Sequence, residues 1–498
     1  MIQWNDILHR WKELSHLEHV IALLSWDQET YMPVKGAKAR GEDISYLVGL
    51  WHERMCDSWW DEAFASMEGV SLEPDQRRAL EVFHRDRERE VKIPHDLTVA
   101  LARVVSEAFG VWHEARTKSD YTVFLPALQK VFDLSLQKAA ALGYERDRAY
   151  DAFLDIHEEN LTQAEFDKIA LQSLEIMRRV LGAIQNSGKK LRTDFLSRRY
   201  SVDGQKRVGE WVLSRIGFAL ERGRLDISPH PFSTTIAVDD VRLTTRYDEY
   251  DPMISLYGVL HEAGHGMYEQ GLPAEWENTP LCQAISLGIH ESQSRFWENQ
   301  IGRSYAFVRW AFPFLREVFP QQLGDVSERE FFQAVNEVKP SLIRTEADEV
   351  TYGIHIIIRY EVEKKLFHGD ISLADAREVW NSMYKEYLGI SPSSDAEGIL
   401  QDVHWSHGSF GYFPTYLLGN LYASQWYATM KRSLEVDKMV ERGEFIPLLE
   451  WLREKIHREG RRYDAKTLVK RVSGEDLNPE YFALYLKSRY EEVYGILL

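Results

Sequence analysis

Asp251-Pro252-Met253-Ile254-Ser255-Leu256-Tyr257-Gly258-Val259-Leu260-His261-Glu262-Ala263-Gly264-His265-Gly266-Met267-Tyr268-Glu269-Gln270-Gly271-Leu272-Pro273 reads as one helix with its own start and stop. Asp251 is placed as N-cap with Pro252 at the first helical position, and Gly271-Leu272-Pro273 ends the run. Leu256, Val259, Leu260, Ala263 and Met267 give it an apolar face that can enter a core. Residues four apart stack on one side of a helix, so His261 and His265 can point at one cation, while Glu262 flanks them within reach of a water held there. That is the arrangement metal-assisted hydrolysis requires. Gly258, Gly264 and Gly266 sit in the interior of this helix, each at a cost of about 1 kcal/mol relative to Ala. A helix shaped for stability alone would not carry them, so close approach of backbone or substrate is expected here.

Working outward, a second helix is expected over about Leu281 to Trp297, carrying His290-Glu291-Ser292. Catalytic zinc commonly takes two His and one carboxylate, and Glu291, 30 residues after His261, fits a helix-loop-helix return. His290 is an alternative ligand or a partner behind one. Upstream, Phe232 to Val238 and Val241 to Tyr247 are rich in β-branched residues around Asp239-Asp240 and read as a hairpin. A lone hairpin is marginal in water, so a small sheet packed on the helices is expected, with an edge facing substrate. Most of the remaining chain has helical period, as in Ile7, Trp11, Leu14 and in Ala170, Leu174, Met177, Val180, Leu181 before Asn186-Ser187-Gly188. No linker or repeat divides it. The reading is a single unit over 1–498, with a helical part over about 1–195 and a metal-site part over about 196–498.

Composition narrows the function. The 498 residues carry 60 Lys and Arg against 78 Asp and Glu, a net charge of −18, which disfavours nucleic acid and anionic membranes as partners. Cys56 and Cys282 are too few and too far apart for a disulfide framework or a thiolate zinc site, and read as reduced, mostly buried thiols. The N-terminus lacks a secretory pattern and no apolar run approaches the roughly 20 residues that span a bilayer, so a cytoplasmic protein is expected.

Six motifs occur in order: His230-Pro231-Phe232; Asp240-Val241-Arg242-Leu243-Thr244; His261 to His265; His290-Glu291-Ser292; Ile343-Arg344-Thr345-Glu346-Ala347-Asp348; and Gly398-Ile399-Leu400-Gln401-Asp402-Val403-His404-Trp405. Together with Trp26 to Pro33 and Tyr150 to Asp155 they resemble the M32 metallocarboxypeptidases over nearly the whole chain. Ile156-His157-Glu158-Glu159-Asn160 departs from the family pattern, which has an aromatic and a Pro-Gly there. The resemblance implies a mainly α, saddle-shaped peptidase fold, similar to neurolysin and angiotensin-converting enzyme, with a deep substrate groove and a small β-sheet, and a homodimer. It implies a carboxypeptidase of broad specificity that uses Zn2+, with Co2+ as an alternative, on peptides with a free C-terminus. It makes His261, His265 and Glu291 the metal ligands and Glu262 the general base, and it places a substrate carboxylate near Arg344.

On chemistry alone, Arg344 suits a terminal carboxylate because a guanidinium binds it bidentately and keeps its charge. The alternative for Arg344 is a structural ion pair with Glu346, Asp348 or Glu349. His230, His404, Tyr412 and Tyr416 are the candidate donors to a developing oxyanion, and Arg242 is a candidate substrate contact or brace. Asp402 is a candidate to orient a metal-bound imidazole. The competing functions are a metal-dependent endo-oligopeptidase, which would not need a free C-terminus, and a non-catalytic helical metal-binding scaffold, which has no use for Glu262.

Overall fold

The helix around the His-Glu motif spans Pro252–Glu269, and the Asp251 side chain caps it by accepting from the Met253 N–H. Its apolar face is fully committed to the core: Leu256, Val259, Leu260, Ala263 and Met267 are all buried. The computed structural model describes residues 2–498 and is mainly helical, as expected.

The second motif helix is shorter at its start than the sequence suggested, running from Leu287 to Arg295 and continuing as a wider π-helical turn over Phe296–Gly302. Ser286 sets the start, its hydroxyl accepting from the Ile289 N–H, so Leu281 to Ile285 stay outside the helix. Glycine lets the two motif helices touch. A Cβ on Gly264 would stand 2.5 Å from the Gln293 carbonyl oxygen and 2.6 Å from Ser294 Cα, which is backbone and cannot swing aside. The helix Phe413–Met430 crosses the other side of Glu291 through Gly419, where a Cβ would lie 2.4 Å from Glu291 Cγ. Gly266 instead admits Leu243 and Phe218 side chains, and Gly258 meets only Thr245 at 3.8 Å. The close approach expected of these glycines is therefore made by backbone at Gly264 and by side chains at Gly266, and is absent at Gly258.

The hairpin is present as β2 (Ser233–Ala237) and β3 (Asp240–Thr245), and β1 (Gly223–Ile227) supplies the third strand the pair requires. The order is β1-β3-β2, with β1 parallel and β2 antiparallel to β3, Leu225 opposite Leu243 and Thr234 opposite Arg242. The turn lies at Val238-Asp239, one residue earlier than Asp239-Asp240, because Asp240 already pairs with Ala237. β3 turns Val241, Leu243 and Thr245 toward the metal helix, while Thr244, on the other face, is buried with its hydroxyl bonded to Ser228 and Phe232 of the β1–β2 connection. β2 is an edge strand flanked by the helix Trp4–Thr30.

One large apolar core runs through the body, and a smaller one, with Ile7, Trp11, Leu14, Met55, Trp60 and Phe83, joins the first four helices. Ion pairs tie the helix Pro74–Lys92 to the body: Arg89 to Asp155 at 2.5 Å, Asp86 to Arg461 at 2.6 Å and Asp75 to Arg462 at 2.7 Å. The segment that departs from the family pattern has a local account, since Asn160 takes the left-handed conformation (φ 63°) that favours glycine and that Asn tolerates. Cys56 and Cys282 are free but only partly buried. No helix among the described residues is long and apolar enough to cross a membrane.

Candidate metal centre

His261, His265 and Glu291 come together, their ligand atoms all within 4.8 Å of one another. His261 Nε2 and His265 Nε2 lie 3.8 and 3.5 Å from Glu291 Oε2. A cation with bonds near 2.1 Å in tetrahedral geometry needs ligand atoms about 3.4 Å apart, so the donor set and spacing fit a zinc-like ion. His290 is not in this trio. The carboxylate is aimed by its own helix: Arg295, one turn on, donates from Nε to Glu291 Oε1 at 2.7 Å, and Oε2, which accepts from the Ser294 hydroxyl at 3.2 Å, faces the histidines.

A second layer fixes the imidazoles. The His261 Nδ1–H donates to Glu298 Oε2 at 2.9 Å, and Glu298 is itself held by Arg295 and Arg303 at 3.3 and 3.4 Å. His265 Nδ1 meets His290 Nδ1 at 2.5 Å, and His290 Nε2 meets Glu269 Oε1 at 2.8 Å. One tautomer arrangement satisfies this chain: His290 donates from Nε2 to Glu269 and accepts at Nδ1 from His265, so the His265 Nε2 lone pair faces Glu291. His290 thus orients a ligand. Both outer carboxylates escaped the sequence reading, although Glu298 stands seven residues after Glu291, on the same helical face, and Glu269 closes the metal helix.

The charges are strongly perturbed. Burial alone would raise the Glu291 carboxyl, but Arg295 and the two histidines hold it well below the usual range. Burial lowers His265 to about 3, so it is neutral and ready to ligate. Burial opposes the charged form of His261 too, yet Glu291 and Glu298 raise it. Glu262 is 7% exposed, and burial pushes its carboxyl up to about 7. It accepts no hydrogen bond among the described residues, in contrast to every other carboxylate of the cluster.

A second polar cluster lies beside the first. Arg344 is 6% exposed and pairs with Asp402, from Nε at 2.9 Å and Nη2 at 2.8 Å, while Nη1 donates to the Tyr352 hydroxyl at 3.1 Å. Arg359, fully buried on the helix Glu349–His368, donates from Nε to the other Asp402 oxygen at 2.7 Å. The alternative ion pair with Glu346, Asp348 or Glu349 does not form, Asp402 being the partner instead. Asp402 holds two arginines and touches neither metal-site histidine; its nearest imidazole is His404, at 4.0 Å. Two guanidiniums on one carboxylate leave a buried surplus of one positive charge. Tyr352 connects the clusters, since Arg295 lies 4.4 Å over its ring and Arg344 bonds its hydroxyl.

The remaining candidates divide. His404 Nε2 lies 3.2 Å from the Tyr416 hydroxyl, and Tyr412 packs on both rings with centroids 5.3 Å from each. Tyr412 and Tyr416 stand at the start of the helix whose Gly419 packs on Glu291, which places them beside the metal cluster. Burial lowers His404 to about 3, so it is a neutral imidazole. His230 is exposed in the β1–β2 connection, where its carbonyl accepts from Ser228, and its side chain joins neither cluster. Arg242 binds Asp240 with two hydrogen bonds of 2.8 Å and lies 4.3 Å over the Trp26 ring.

The model of the carboxypeptidase Taq (M32) metallopeptidase family matches residues 6–490. The chain is 43% identical to thermostable carboxypeptidase 1 of Thermus thermophilus and 39% identical to carboxypeptidase 1 of Bacillus subtilis, over 99% and 97% of both chains respectively. The crystal structure of the M32 carboxypeptidase from Deinococcus radiodurans superposes with a TM-score of 0.96 at 37% identity, covering 99% of each chain.

Proposed function

Because the chain belongs to the carboxypeptidase Taq (M32) metallopeptidase family, and is thus a peptide-hydrolysing carboxypeptidase, we propose that it is zinc-dependent and removes single residues from the C-termini of peptides, with Glu262 as general base. The observation that carries this reading is the surplus positive charge of the Arg344–Asp402–Arg359 cluster, one tyrosine away from the metal ligands. A buried cation of this kind is destabilising until an anion completes it, and a terminal carboxylate of substrate is such an anion. An endo-oligopeptidase has no use for that charge so close to the reacting bond.

His261, His265 and Glu291 would hold the cation. When bound, zinc supplies Lewis-acid polarisation of the scissile carbonyl and acidifies the attacking water. The chain's own residues do the rest. Glu262, its carboxylate free of hydrogen-bond partners, takes a proton from the water and returns it to the leaving amine. Arg344 offers Nη1 and the edge away from Asp402 to the terminal carboxylate, and Tyr352 holds that side chain in place. Tyr412, Tyr416 and His404 form a mutually packed group beside Glu291, from which a hydroxyl or imidazole N–H can donate to the oxyanion. Arg242 braces β3 against Trp26 of the first helix.

The resemblance also carries Co2+ as a substitute metal and a homodimer, the latter checked by light scattering. The deciding experiment is mass spectrometry of one peptide as its free acid and as its C-terminal amide, each with metal-loaded and chelated protein. Stepwise loss of single residues from the acid alone, abolished by chelation, supports the proposal. Internal cuts in both peptides would overturn it in favour of the endo-oligopeptidase.

A further inference from the structure

A cavity of about 330 Å³ opens between the first, second and fourth helices on one side and Lys138, Ile156 and the loop at Asn278 to Gln283 on the other. It lies where the small N-terminal core meets the body. None of its lining residues belongs to the metal cluster or to the arginine cluster. Its volume is at the lower end of small-molecule sites, the scale of an amino acid.

Five charged side chains line it, and two of them are already committed. Asp86 is bound by Arg461 at 2.6 and 3.0 Å, and Arg89 by Asp155 at 2.5 Å. Lys138, half-buried, pairs with no carboxylate among the described residues. Glu18 accepts from the Trp51 indole N–H through one oxygen at 3.0 Å, which leaves the other oxygen unused. Glu90 accepts no hydrogen bond among the described residues: His52 stands 3.8 Å from it, and Lys138 is close enough to feel its charge without pairing. The uncommitted set is therefore one cation and two anions. The apolar part of the wall is aromatic, from Trp11, Trp51 and Phe83. Trp11 is 2% exposed, and its indole N–H has no acceptor in the protein.

The complement of that set is a molecule with one carboxylate, two cationic groups and an aliphatic stem. We propose that this cavity is a binding site for a free basic amino acid, arginine or lysine, separate from the metal centre. Lys138 takes the α-carboxylate, and Glu18 and Glu90 take the α-ammonium and the side-chain cation. The stem lies along the indole and phenyl faces, which attract a cation as well as methylenes. Free amino acids are what a carboxypeptidase releases, so the site would read one class of its own product. A ligand here would also bridge the two cores and raise the stability of the folded chain.

The test uses the full chain with metal removed by chelation, so that binding is read without turnover, by calorimetry and by the fluorescence of the wall tryptophans. Arginine is expected to bind saturably with one site per chain. Agmatine, which lacks the carboxylate, and norleucine, which lacks the side-chain cation, are each expected to bind at least about tenfold more weakly, as the loss of one charge-assisted contact implies. Lys138→Met should weaken arginine to a similar degree, whereas Arg344→Met, in the proposed substrate pocket, should leave it unchanged. Three results would overturn the proposal: no saturable arginine binding, norleucine binding as tightly as arginine, or loss of binding in Arg344→Met, which would put arginine in the substrate groove. Should Lys138→Met fail to fold, the three ligands on the unmodified chain decide the matter.

Discussion

The substitution Gly264→Ala should damage both stability and metal binding, although it places the best helix former in a helix. Ordinary van der Waals contact begins near 3.4 Å, and the new methyl would stand 2.5 Å from the Gln293 carbonyl oxygen, so the two motif helices must separate by close to 1 Å. Overpacking of this kind costs about 1–3 kcal/mol, and the gain in helix propensity returns about 1 kcal/mol. The net loss is about 1 kcal/mol, with an upper limit near 2. More tellingly, the separation pulls His261 and His265 away from Glu291, whose spacing now fits a tetrahedral cation within a few tenths of an ångström. Gly258→Ala is the internal control. It lies on the same helix, six residues earlier, and its methyl would meet only Thr245 Oγ1 at 3.8 Å. It should stabilise, by at most about 1 kcal/mol. Chemical denaturation of chelated protein measures the first quantity, and competition for zinc against a chromophoric chelator the second. The reasoning is refuted if Gly264→Ala binds zinc as tightly as the unmodified chain, or if both variants destabilise equally.

Four further outcomes are expected. Glu262→Gln should lower kcat by about 10²–10⁴ while zinc binding in the chelator assay stays intact; a parallel loss of metal would make Glu262 a ligand. Chelation should abolish activity and lower the melting temperature, and zinc should restore both, because a cation that binds only the folded trio stabilises it by mass action. Asp402→Asn leaves Arg344 and Arg359 buried without their anion and should cost about 3–5 kcal/mol in denaturation, together with a raised KM; unfolding at the unmodified midpoint would contradict the reading of Asp402 as the shared counter-charge. Glu158, buried between the Gly288 N–H and the Tyr422 hydroxyl, is pushed by burial to about 7 from an ordinary 4.5. The native state then keeps a proton that the unfolded chain loses, so this group makes stability fall as pH rises from about 4.5 to 7, by at most about 3 kcal/mol, and Glu158→Gln should remove that share of the slope in denaturation at several pH values.

What was legible in the sequence, and what was not, follows from the range of the interactions involved. The metal helix could be read almost to the residue because its signals are local: an Asp cap, Pro at the first turn, a stop at Gly271, and two histidines one turn apart. The sheet was legible as a hairpin, but β1 was not, since Gly-Arg-Leu-Asp-Ile carries little β-branched signal and becomes a strand only by pairing parallel to β3. The start of the second motif helix was misplaced because the apolar run before Ser286 resembles a helix, and only the cap at Ser286 says otherwise.

The arginine cluster shows the limit most clearly. Around Arg344 the nearest acids in sequence are Glu346, Asp348 and Glu349, and local reasoning pairs it with those. In the fold two of them have other work: Asp348 caps the next helix through Val350 and Thr351, and Glu349 accepts from Tyr485. That releases Arg344 to a carboxylate 58 residues on, and the same carboxylate is claimed by Arg359 from a buried helix face that otherwise reads as a plain apolar run of isoleucines. No spacing rule signals a three-membered buried cluster drawn from three separate segments. In the proposed function it is the surplus charge of this cluster that separates a site for chain ends from a site for chain middles. The residues that set the chemistry are therefore written locally, at His261 to His265, while those proposed here to set where along a peptide it acts emerge only from the tertiary fold.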